Sequence, residues 1–112
     1  MNRYPKYEKR LIGTWISDKK KTKKELRARN DIISSKKLEA LFGKLKIKYG
    51  RKYIRTELND HKTKNQYRVL AADYESVAIL VEEEQPLIFH IHFEGEYYWI
   101  CLGKFREYFK KV

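Results

Sequence analysis

LIFHIHFEGEYYWICL, residues 87–102, carries the clearest folding signal in the chain. Two runs rich in aromatic and β-branched residues flank Glu94-Gly95, the pattern of an antiparallel hairpin. With those two residues as the turn, Ile91 stands opposite Tyr98 and His90 opposite Trp99. Side chains alternate across a strand, so one face carries Leu87, Phe89, Ile91, Tyr98, Ile100 and Leu102. The other carries Ile88, His90, His92, Tyr97, Trp99 and Cys101. The first set has the composition of a core. The second joins aromatic bodies to polar tips, as in a wall that holds a small amphipathic ligand.

The same alternation continues upstream. KLKIKY (44–49), KYIRTEL (52–58), QYRVLA (66–71) and SVAILVE (76–82) each place apolar residues on every second position. Gly50, the polar loop LNDHKTKN (58–65), the turn at 72–75 and the charged segment 82–86 separate them. REYFKKV (106–112) supplies a last strand and Leu11–Ser17 a first. Between the first and second strands the period changes. Thr22 and Glu25 have capping-box spacing ahead of a helix over 22–29. Ser35 caps a second helix through SKKLEALFGK, where Leu38, Leu41 and Phe42 share a face and Gly43 supplies the stop. The expectation is a single mainly-β domain over 1–112, with a two-helix insert at about 22–43. Short connections make sequence neighbours sheet neighbours, and pairing the last strand with the first removes both edges. An up-and-down antiparallel barrel of about eight strands follows.

The chain has 112 residues and a formal net charge of +11. That charge is uneven: residues 1–44 carry a surplus of nine cations, residues 45–112 a surplus of two. Lys19–Lys24, with Lys36, Lys37, Lys46 and Lys48, could form a surface that follows phosphates. Solvated surface lysine accounts for the surplus equally well. The single cysteine, Cys101, excludes an intrachain disulfide, and its apolar neighbours suggest a small core residue. No secretion signal or membrane-spanning run is visible, so a cytoplasmic protein is expected.

Gly13-Thr14-Trp15 in the first strand, followed by an antiparallel meander, resembles the calycin superfamily of lipocalins, fatty-acid-binding proteins and avidins. GTW–SDK, an insert ending LFGKL, IHFEG-YYW and LGK-RE-F together resemble small uncharacterised bacterial lipocalin-like proteins. The resemblance implies that Gly13 and Trp15 close one end of the barrel, with Arg106 packed across the indole. It also implies a lid of two helices and an apolar ligand whose polar head meets a lumenal Arg and Tyr.

On that basis the expected function is non-catalytic binding of a small apolar or amphipathic molecule, with no cofactor. The expected lumenal set is Tyr53, Arg55, Tyr67, His90, His92, Tyr97 and Trp99. A nucleic acid or an anionic membrane surface, met by the lysine-rich N-terminal third, is the rival partner. His90-x-His92 lacks a clear third ligand, since His61 falls in an expected loop, so no metal is assigned. No nucleophile–base pair is apparent, and Glu82–Glu84 reads as a solvated turn.

Overall fold

The computed structural model describes residues 7–28, 40, 42–102 and 105–112. Its strands are β1 (Gly13–Ser17), β2 (Lys46–Tyr49), β3 (Tyr53–Leu58), β4 (His61–Ala72), β5 (Ser76–Glu82), β6 (Leu87–Glu94), β7 (Tyr97–Leu102) and β8 (Phe105–Lys111). They pair in sequence order, and β8 returns to β1, so eight strands close an antiparallel barrel. The one helix among the described residues is α1 (Lys19–Ala28), between β1 and β2 and packed on β8. The second helix expected over 35–44 falls largely outside the described residues; within them, Phe42 is buried edge-on against Phe105 at 5.5 Å.

The start of α1 differs from the capping-box expectation. Asp18 is the cap: its Oδ1 accepts the Lys21 N–H at 2.9 Å, and its carbonyl accepts the Thr22 N–H at 3.0 Å. Thr22 instead lies inside the helix, fully buried, where its hydroxyl accepts the Tyr108 N–H at 2.9 Å.

Two turns also move. β4 begins at His61, so most of the segment expected as a loop is strand, and the turn is Asn59-Asp60 with Asn59 at φ 56°. Asn and Asp tolerate that left-handed geometry, while Thr63, Asn65 and Tyr67 continue an inward period of two. In the β6–β7 hairpin the turn is Gly95-Glu96, with Gly95 at φ 61°. His92 therefore faces Trp99, and Phe93 faces Tyr98, one turn position beyond the register expected. The faces survive this shift because the change is even.

Inward residues meet across the barrel. The Tyr49 hydroxyl on β2 meets the Tyr98 hydroxyl on β7 at 2.8 Å, both buried. Trp15 lies 4.6 Å from the Tyr98 ring and Phe109 stacks on the ring at 4.9 Å. Burial pushes both phenols above their ordinary pKa, so they remain a neutral hydrogen-bonded pair.

Trp15 is buried, as expected, but its surroundings differ. Its Nε1 donates to the Leu11 carbonyl at 2.9 Å, and the cation near its ring is Lys111, 5.8 Å from the centroid. Arg106 sits over Trp99 instead, because it occupies an outward position of β8. Gly13, at φ 125°, brings β1 close to the Lys111 side chain; a Cβ there would lie 3.0 Å from its Cε. The residue that ties the chain start to the rim is Arg10. It pairs with Glu8, donates to the Asp73 and Tyr74 carbonyls, and covers the Phe93 ring at 4.4 Å.

Candidate ligand-binding surface

Of the residues expected to line the lumen, Tyr67 alone points inward. Its ring meets Tyr49 at 5.9 Å and its hydroxyl donates to the Gly50 carbonyl, while burial pushes its pKa up to about 12. Tyr53, Arg55, His90, His92, Tyr97 and Trp99 lie on outward positions. The alternation leaves them no choice, because Ile54, Ile91, Tyr98 and Ile100 occupy the buried ones. Cys101 also corrects the expectation: it is exposed, opposite Arg106.

The structure divides these outward residues between two walls. On β6–β8, His90 and His92 lie 4.2 Å apart, His92 stacks on Trp99 at 4.0 Å with only 11° between planes, and Arg106 covers Trp99 at 3.8 Å. Ser76 Oγ meets His90 Nε2 at 3.2 Å. α1 covers the adjoining part, with the Lys21 ammonium 5.3 Å from both the Tyr97 and Tyr108 rings. Desolvation, reinforced by the charges of His90 and Arg106, lowers the His92 pKa. A neutral ring stacked on indole under a guanidinium fits that direction. His61 lies at the start of β4, and no group of three metal-ligating side chains forms among the described residues.

The wall formed by β2–β4 is different. Register places Lys48, Arg55 and Lys64 directly opposite one another on successive strands, with Lys46, Glu57 and Lys62 in the next row. All five cations are exposed. Among the described residues, Lys46, Lys48, Arg55 and Lys62 form no ion pair, and Lys64 lies over the Tyr53 ring at 4.3 Å. Adjacent strands are about 4.8 Å apart, so like charges crowd at close quarters, an arrangement that costs stability. The five cations, Glu57 and three threonines line a concavity of about 510 Å³. Lys64 also borders a second concavity, of about 500 Å³, lined by Tyr53, Asn65, Gln66 and Glu82.

Sequence reasoning missed Lys64 as the partner of Arg55, and Lys62 as the partner of Glu57, since it left both lysines in a loop. The signal that would have found them is Asn59-Asp60 as a two-residue turn, which fixes Arg55 opposite Lys64.

A closed eight-stranded antiparallel barrel compatible with a calycin-like fold, carrying a basic outer wall, is thus the class defined here. No protein family, curated protein or solved structure matches the chain. No helix among the described residues is long and apolar enough to cross a membrane.

Proposed function

We propose that this chain is a non-catalytic, calycin-like barrel that binds an anionic ligand along the outer wall of β2, β3 and β4. One observation carries the reading: Lys48, Arg55 and Lys64 stand side by side across three strands and form no ion pair among the described residues, with Glu57 as the one carboxylate lining the concavity beside five cations. An anion laid over this row relieves their mutual repulsion and releases its counterions, which is where affinity for polyanions originates. The strand ladder fixes the spacing of their backbones before the ligand arrives.

The lumenal apolar ligand favoured by sequence has less support, because Tyr49 and Tyr98 meet across the interior. The lysines of α1 form a separate positive region: α1 packs on β8, and β1 intervenes before β2.

Titration calorimetry with inorganic polyphosphate tests the site. Paired charge reversal, Lys48→Glu with Arg55→Glu, should weaken binding by about tenfold or more and flatten its salt dependence. Reversal on the helix, Lys20→Glu with Lys24→Glu, should leave most of the affinity. The opposite ranking would move the site to α1 and end this reading.

A further inference from the structure

The basic groove does not stand alone. Lys64 borders both concavities, so the charged one and a polar aromatic one are neighbours on the same wall. The second concavity offers the half-buried Tyr53 ring, the exposed amide of Gln66 and the carboxylate of Glu82. Tyr53 and Gln66 are direct cross-strand partners, which fixes the amide beside the ring. A ring with hydrogen-bonding edges beside it is what a flat heterocycle needs. Cations at strand spacing are what a chain of phosphates needs.

We infer that the anionic ligand is a single-stranded nucleic acid, with its phosphates over Lys48, Arg55 and Lys64 and a base against Tyr53 beside Gln66. This rests on the proposed anionic reading and deepens it. Each nucleotide unit carries one charge and one flat base, matching the two adjoining concavities. A lipid headgroup would supply phosphate to the basic concavity but no flat ring to the second one. Duplex DNA keeps its bases stacked inside and would offer this wall phosphates alone. Lys64, which covers the Tyr53 ring at 4.3 Å, sits at the junction of the two concavities and contacts the phosphate that joins the bound base to the groove.

Fluorescence anisotropy separates this inference from the reading beneath it. The probes are labelled oligothymidylate and oligouridylate of about a dozen residues, and an abasic deoxyribose-phosphate strand of equal length. Inorganic polyphosphate is the competitor. Either base-bearing strand should bind about tenfold tighter than the abasic one, the size expected of one stacked base, and comparing the two identifies the sugar preferred. Tyr53→Leu should bring that strand down to the abasic level without changing abasic or polyphosphate affinity. Gln66→Glu, at an exposed position, should reduce base-dependent affinity in the same way and serves if the tyrosine variant folds poorly. Lys48→Glu with Arg55→Glu should weaken all the probes together. Equal affinity for abasic and base-bearing strands overturns the base site while leaving the anionic wall intact. No binding of any probe at low salt overturns both.

Discussion

On β2–β4 the outward Lys48, Arg55 and Lys64 stand abreast without ion pairs, whereas on β6–β8 the outward His92 stacks on Trp99 and Arg106 covers the same indole. Both walls expose cationic side chains on the same kind of antiparallel ladder. On the second, an indole face takes the role of counter-charge for the Arg106 guanidinium, whose buried Nε has no hydrogen-bond partner among the described residues. On the first, Lys64 lies over the Tyr53 ring, while Lys48 and Arg55 form no ion pair among the described residues. The contrast teaches that charge count is a poor guide to a binding surface; what matters is whether the protein itself supplies the neutralising group.

Four experiments test whether the two walls differ as described. The largest effect belongs to the interior that carries both walls: Trp15→Ala should cost about 3–5 kcal/mol in a chemical melt, the range for a buried aromatic. A loss below about 1 kcal/mol would mean that the walls do not share a core. Trp99→Ala, which removes both the imidazole stack and the guanidinium contact, should cost roughly 2 kcal/mol and leave polyphosphate binding untouched. If binding fell instead, the two walls would be one site.

The pH dependence is smaller and has a definite sign. Burial and neighbouring charge hold His92 below its ordinary value of 6.5. Just below 6.5 the unfolded chain therefore binds more protons than the fold, and stability should fall as acidity rises through that window. His92→Gln should flatten the slope in melts from neutral to mildly acidic pH. An unchanged slope would assign the effect to other groups. The smallest change concerns Lys48→Glu alone, which puts a carboxylate opposite Arg55. It should raise stability by about 0.2–1 kcal/mol while weakening polyanion binding. A loss of stability would show that the lysine row is not under repulsion.

Much of the barrel was legible because its determinants are local. Ile47 and Tyr49, Val77 to Val81, and Ile91 with Tyr98 and Ile100 keep the period of two that a half-buried strand requires, and each is buried as that period predicts. The inward side of the last hairpin was harder to choose, since both of its faces are rich in aromatic residues. The face without imidazoles is the core, consistent with the cost of burying polar groups. The partner of the indole could not be found from spacing either. Arg106 and Lys111 are both cations of β8, and only the alternation along that strand decides that Lys111 goes to Trp15 and Arg106 to Trp99. The candidate site was hidden by arithmetic along the chain. Residues 45–112 are nearly balanced in charge, yet register gathers Lys46, Lys48, Arg55, Lys62 and Lys64 on one wall with Glu57 alone among them, while Glu83 and Glu84 fall in the bend after β5.

The hydroxyl of Thr22 has a consequence beyond the helix that carries it. β1 pairs with β8 at only three positions, 15 with 111, 16 with 110 and 17 with 109; past Ser17 the Asp18 N–H meets the Tyr108 carbonyl and Thr22 receives the Tyr108 N–H. A single side-chain oxygen thus stands in for a missing stretch of backbone along the seam. Valine has nearly the same shape but no acceptor, so Thr22→Val would orphan a buried amide and loosen the helix from the strand it shields. The uncovered margin of β8 would then be a template for another molecule's strand, turning a self-contained cylinder into one that recruits copies of itself.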